Sequence, residues 1–171
     1  MGARGHSTAR RYLGSVSSQV VAEAPCSVTV TGAGSLSETP APVYSNNVSV
    51  VSNSQITFAN AGLYNIQFSL QLLNYTTSED NVTMWFRKNG VDIPNTAGIV
   101  TVPSKHGGGA GTGIVSWNLV VDLNAGQYIE LMMTSDSGNT VVATYPPGTA
   151  PVHPASPSVI LTATFVSSLN A

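Results

Sequence analysis

Residues 63–73 alternate well between apolar and polar side chains. Tyr64, Ile66, Phe68, Leu70 and Leu72 fall on one side, and Asn65, Gln67, Ser69 and Gln71 on the other. A period of two places successive side chains on opposite faces of a strand, whereas a helix would spread these large apolar groups around its circumference. A chain carrying such a segment has to build a sheet with one apolar face and cover that face with a second layer.

The pattern recurs along the chain. It predicts strands over residues 48–51, 55–58, 82–87, 99–102, 114–123, 127–134, 140–145 and 159–166 as well. Asn60-Ala61-Gly62 and Asn124-Ala125-Gly126 read as turns, and Lys88-Asn89-Gly90 contains Asn-Gly, the strongest short hairpin signal. Five glycines within residues 105–113 predict a mobile loop, and residues 146–157 form a proline-rich one. Short strands roughly ten residues apart, with turn signals between them, predict an all-β fold, an antiparallel β-sandwich or jelly roll, with an N-terminal arm or short helix. Tyr64, Phe68, Trp85 and Trp117 are expected to fill its core, with a sugar-stacking role as the alternative for one of these rings.

The N-terminal part reads differently. Leu13, Val16, Val20, Val21 and Ala24 fall at helical spacing, with Ser7 or Thr8 as a cap and Pro25 as a stop. Residues 26–31 alternate like a short strand, and residues 31–44 turn to Gly, Ala, Ser and Pro, the composition of a linker or extended arm. The expected organisation is therefore an arm and linker over residues 1–45 and a jelly-roll domain over residues 46–171. Arg4, Arg10 and Arg11 supply half of the six basic residues, which makes them the candidates for docking a partner. The apolar core of about 7–15 residues that a secretory signal needs does not follow them.

Composition narrows the function. Only 14 residues are charged, or 8%, against about 25% in an ordinary soluble protein. A surface so poor in charge is expected to be covered in an obligate assembly. The net charge of −2 gives no electrostatic reason to expect nucleic acid, and no run approaches the roughly 20 apolar residues of a membrane span. The lone cysteine, Cys26, excludes an internal disulfide framework and reads as a buried small hydrophobe.

From residue 47 onward the sequence resembles the jelly roll shared by tumour necrosis factor and the globular head of the first complement component. The residues that carry the resemblance are Phe58-Ala59-Asn60-Ala61-Gly62-Leu63-Tyr64 entering the long alternating strand, and the run from Val82 through Trp85 to Lys88-Asn89-Gly90. Trp117 to Leu131 matches a strand, glycine turn and strand, and Pro157 to Phe165 matches the last core strand. More narrowly, the segments from Ser49 to Phe58 and from Phe86 to Asn95 are similar to domains of tailed-phage structural proteins. The resemblance implies a homotrimer with a structural or binding role.

A second resemblance covers residues 1–30. Gly2-Ala3-Arg4-Gly5, then Gly14-Ser15-Val16-Ser17 and Ala24-Pro25-Cys26-Ser27-Val28, is similar to the C-terminal end of universal stress proteins. In that family such a motif holds the phosphates of ATP, which makes Gly2, Gly5, Gly14 and Ser15 the phosphate-loop candidates. Eight residues separate Gly5 from Gly14, one fewer than the family pattern, and the preceding parallel sheet is missing.

Catalytic chemistry is not legible. His6, His106 and His153 fall in separate contexts, none with a ligand partner two to four residues on. Glu79-Asp80 is the one adjacent acidic pair, a solvated turn or a sparse calcium site. No Gly-x-Ser-x-Gly elbow is present, and the sequons at Asn47, Asn74 and Asn81 matter only in a secretory pathway. No catalytic residue, metal ligand or cofactor is expected.

The function expected is that of a non-enzymatic virion protein, a phage capsid decoration or tail-fibre component whose partners are its own copies and the major capsid or tail protein. The alternatives are a fibre-tip domain that binds a host receptor or surface glycan through residues 105–113 and 146–157, and a nucleotide-binding remnant of a universal stress protein.

Overall fold

The computed structural model describes residues 47–51 and 55–169, together with the strand backbones of residues 11–12, 17–21 and 27–33. Among the described residues every regular element is a strand. These are β1 (Arg11–Tyr12), β2 (Ser17–Val21), β3 (Ser27–Ala33), β4 (Val48–Val51), β5 (Gln55–Phe58), β6 (Gly62–Asn74), β7 (Asp80–Lys88) and β8 (Val91–Asp92). They are followed by β9 (Gly98–Val102), β10 (Gly111–Leu123), β11 (Tyr128–Ser135), β12 (Thr140–Val142), β13 (Gly148–Thr149), β14 (Val152–His153) and β15 (Val159–Ser167).

Two antiparallel sheets result. One runs β4-β5-β11-β7-β8, with β9 also on β7 and β1 on β11. The other runs β10-β6-β15-β3-β2, with β12 also on β6. The expected strand segments all carry strand structure, although the segment expected over residues 140–145 ends as a strand at Val142.

The space between the sheets is filled by the apolar halves of their alternating strands. β6 contributes Tyr64, Ile66, Phe68, Leu70 and Leu72, and β15 adds Val159, Leu161 and Ala163. The facing sheet contributes Phe58, Val82, Met84, Phe86, Ile129 and Leu131. Each of the Val, Leu, Ile, Phe and Met side chains among them stabilises the fold by about 1.5–3 kcal/mol when fully removed from water. Aromatic rings bridge the layers: Phe58 and Tyr64 lie 4.5 Å apart between centroids, and Phe68 meets Phe86 edge to face at 5.5 Å. Tyr64 keeps its hydroxyl satisfied in this core by donating to the Asn60 carbonyl at 3.0 Å.

Several expectations are corrected. Residues 17–21 lie within the segment read as a helix, yet they form β2, paired with β3 from Ser17↔Ala33 to Val21↔Thr29. Residues 31–33, expected to start a linker, complete β3, which pairs with β15. The glycine-rich loop is shorter than expected, because β10 begins at Gly111 and His106 and Gly109 close a tight turn. The proline-rich loop contains a small hairpin, β13–β14.

Trp85 does not enter the core. It lies between the buried Met84 and Phe86, so the pleat points it to the outer face, where its indole Nε1 donates to Asp92 Oδ1 at 2.8 Å. Trp117 faces inward but is only half-buried, edge to face with Phe68 at 4.6 Å. The hairpin turn behaves as the sequence requires: Asn89 and Gly90 have φ of 49° and 80°, the left-handed pair that joins twisted strands.

Candidate functional site

At one end of the sandwich, β6 ends at Asn74 and β7 begins at Asp80, beside the end of β9 and the starts of β10 and β12. Both residues are buried. Asn74 Nδ2 donates to the carbonyls of Ser78 at 2.8 Å and Val102 at 3.3 Å, while its Oδ1 accepts from the Thr76 amide at 2.9 Å. Asp80 Oδ2 accepts from Ser135 Oγ at 2.6 Å and Thr140 Oγ1 at 2.5 Å, and its Oδ1 accepts from the Ser137 amide at 2.9 Å.

Burial alone pushes the Asp80 carboxyl up, but the hydrogen bonds from Ser135, Thr140 and Ser137 outweigh it and hold the group down at about 2. A carboxylate with these donors in place carries no proton at neutral pH and has little basicity to offer a substrate. Its chemistry is structural: it ties the turn after β11 and the start of β12 to the start of β7. Glu79 is exposed and outside this network, so the acidic pair does not act as a unit. Among the described residues, no three His, Cys, Asp or Glu side chains gather where they could hold a metal ion.

Charge is segregated between the sheets. Asp122 is the single charged residue in the strands β2, β3, β6, β10, β12 and β15 of the six-stranded sheet. On the outer face of that sheet lie Asn65, Gln67, Ser69 and Gln71 of β6 beside Ser116 and Asn118 of β10, with Asn118 Nδ2 donating to Asn65 Oδ1 at 3.1 Å. The opposite sheet carries Arg87, whose Nε donates to Asp92 Oδ1 at 2.9 Å, and the buried Glu130. Lys88 at its end pairs with Asp122 at 3.2 Å.

Gly2, Gly5, Gly14, Ser15, Arg4, Arg10, His6 and Cys26 lie outside the described residues, and Arg11 is described only as a backbone in β1 opposite Met133. The strand β2 follows Gly14 and Ser15 closely, in place of the helix whose N-terminus helps a phosphate loop to bind anions. His106 sits in the tight turn it closes with Gly109, and His153 in strand β14 of the small hairpin. Asn74 is fully buried, so of the described sequons Asn47 and Asn81 alone are exposed. The Asp80 network went unseen in the sequence, because Ser135, Ser137 and Thr140 are 55 to 60 residues away and carry no local signal.

The sequence pattern of the universal stress protein family matches residues 1–32, the part that holds β1, β2 and most of β3. No curated protein sequence matches the chain.

Proposed function

We propose that the protein is a non-enzymatic structural component of a tailed-phage virion, a homotrimer of jelly rolls attached to the major capsid or tail protein through its N-terminal arm. The observation that carries this reading is the strand order. β11 lies between β5 and β7, and β15 lies between β6 and β3, so neighbours come from distant parts of the chain. Wrapping of this kind, with successive strands crossing between two sheets, belongs to jelly rolls and other Greek-key sandwiches. The nearly uncharged six-stranded sheet supports oligomerisation, since a neutral face meets another copy without like-charge repulsion.

Light scattering of the purified chain is expected to give three times 17.7 kDa, and the trimer is expected to cosediment with virions stripped of it. A clean monomer at micromolar concentration, or no retention on the particle, overturns the proposal.

A fibre-tip role in binding a host receptor or glycan is favoured by one feature, the β13–β14 hairpin. It projects an uncharged, proline-rich turn whose Val152 is 86% exposed. Binding of the chain to host surface glycans, lost on deleting residues 146–155, is the result expected of that role. The universal stress protein reading rests on the match over residues 1–32 and expects saturable heat on titration with ATP.

A further inference from the structure

We propose that the outer face of β7 and β11 carries a binding site for a neutral saccharide, with the Trp85 indole as its stacking platform and Asp92 as its hydrogen-bonding group. The site needs neither a trimer nor the β13–β14 hairpin.

The pleat decides which side chains meet there. Met84 and Phe86 of β7 and Ile129 and Leu131 of β11 are buried toward the core, so Trp85, Arg87, Tyr128 and Glu130 stand on the opposite face. Trp85 lies opposite Met132 in the ladder, and Arg87 lies opposite Glu130. Tyr128 closes the row at the hairpin end. Its amide donates to Asn89 Oδ1 at 3.0 Å, and its hydroxyl lies 3.6 Å from where a Cβ on Gly90 would stand. The rungs of the two rings are four residues apart, or about 13 Å along the strand.

The platform is fixed before any ligand arrives. Indole Nε1 donates to Asp92 Oδ1 at 2.8 Å, and Arg87 Nε donates to the same oxygen at 2.9 Å. The buried Met132 backs the ring from across the ladder. A ring already held in one orientation loses little freedom when a ligand covers it. Trp85 is half-buried, so part of the indole stays open, and the Asp92 side chain beside it is 46% exposed. An aromatic surface next to an accessible carboxylate suits a sugar, whose C–H face covers the ring while its hydroxyls donate to the oxygens.

Charge selects a neutral ligand. Arg87 and Glu130 are 7% and 5% exposed, unusually deep for charged groups on an outer face. Burying such groups costs more than it returns in stability, so their use here is to hold Asp92 and the indole in place. The guanidinium is engaged by Asp92, which leaves no open cation to draw an acidic sugar. The second carboxylate, Glu130, is buried and out of reach of a soluble cation. What the site offers a ligand is a ring and hydrogen bonds.

The test titrates the full chain with cellohexaose, maltohexaose and mannohexaose as neutral saccharides and with hexaguluronate as an acidic one. Nuclear magnetic resonance follows the indole N–H signals of the two tryptophans, and Trp85→Phe identifies the one that belongs to Trp85. At least one neutral saccharide is expected to shift the Trp85 signal saturably and to leave that of Trp117 in place, while hexaguluronate shifts neither. Trp85→Ala is expected to weaken the binding about tenfold, the loss of one stacked ring, and Trp85→Phe to weaken it less. Asp92→Asn, whose side-chain oxygen still accepts from the indole, is expected to weaken it as well. Deleting residues 146–155 is expected to leave it unchanged, which separates this site from the hairpin. A Trp85 signal that no neutral saccharide moves, or that hexaguluronate moves as strongly, overturns the assignment. So does binding that survives Trp85→Ala or Asp92→Asn undiminished, or that is lost with the hairpin. Should Trp85→Ala not fold, the indole signals of the wild type decide.

Discussion

The indole of Trp117 covers the place where Gly98 has no side chain: a Cβ built there would lie 2.9 Å from Cη2, 3.1 Å from Cζ3 and 3.3 Å from Cζ2. This contact joins the edge strands of the two sheets, β9 and β10, and holds the ring against Phe68. Gly98→Ala is therefore expected to displace the indole and to cost about 1–2 kcal/mol by overpacking. Urea unfolding measures the cost, and a red shift of tryptophan emission reports the displaced ring. Trp117→Ala, at a half-buried site, should fall at or below the lower end of the about 3–5 kcal/mol typical of a buried ring, while Phe68→Ala should reach the upper end.

Gly111 and Gly113 lie on the same strand and should respond oppositely. A Cβ at Gly111 runs into the backbone carbonyl of Pro103, which cannot move without displacing the end of β9, whereas nothing lies within 4 Å of a Cβ at Gly113. Gly111→Ala is expected to destabilise by about 2–3 kcal/mol or more. Gly113→Ala should be neutral or slightly stabilising, since a strand glycine gives up backbone entropy for no packing. Similar melting temperatures for the two variants would refute the close approach.

Asp80 predicts the acid behaviour of the fold. Its folded value of about 2 lies below the ordinary 3.8, so the stability it adds is fully present above 3.8 and disappears as pH falls through about 2. The difference corresponds to about 2 kcal/mol. Asp80→Ala leaves the donors of Ser135, Ser137 and Thr140 without their acceptor and should cost about 2–4 kcal/mol at neutral pH. Asp80→Asn keeps an acceptor and should cost less, and it should lose the component of the pH dependence between 4 and 2 that urea titrations of the wild type are expected to display. An unchanged pH profile in the Asn variant would show that Asp80 is not the group responsible.

Much of the fold was legible because alternation is a local property. The segment from Leu63 to Leu73 states its period within eleven residues, and Asn89-Gly90 states its turn within two. Trp85 shows where ring size misleads: Val82, Met84 and Phe86 share one parity and Asn81, Thr83 and Arg87 the other, so period two places Trp85 on the outer face, against the expectation that so large a ring fills the core. The helix expected around residues 13–24 failed for a different reason. Val16 and Val20 share a face in either conformation, and the choice falls to β3, whose position against β15 is set by residues 159–164. The Asp80 network draws on partners from three turns and strands, so it exists only once the sheets have formed. Neutrality of the six-stranded sheet was visible as composition, but its confinement to one layer required the strand order.

The last prediction concerns the N-terminal arm, whose strands join both sheets. β1 lies against Met132 and Met133 of β11, and β3 lies along β15 from Val159 to Thr164. A truncation removing residues 1–10 takes Arg4 and Arg10 but none of these strands. It is expected to keep the melting temperature and the oligomer mass, and to weaken attachment to the particle if the arginines face acidic groups there. The salt sensitivity of attachment should fall with it, because long-range attraction between exposed charges is what salt screens. A truncation beginning at Tyr44 removes β3 as well and leaves β15 with a bare edge over Val159 to Thr164. That chain should melt lower and aggregate, since a long uncharged edge pairs readily with other copies. Melting, oligomer mass and particle binding measured together on both truncations decide the matter. A chain starting at Tyr44 that melts like the full protein would place the boundary of the folding unit near residue 45, with β1 to β3 adding nothing to its stability. Undiminished attachment of the shorter truncation would move the docking surface from the arginines to the sandwich.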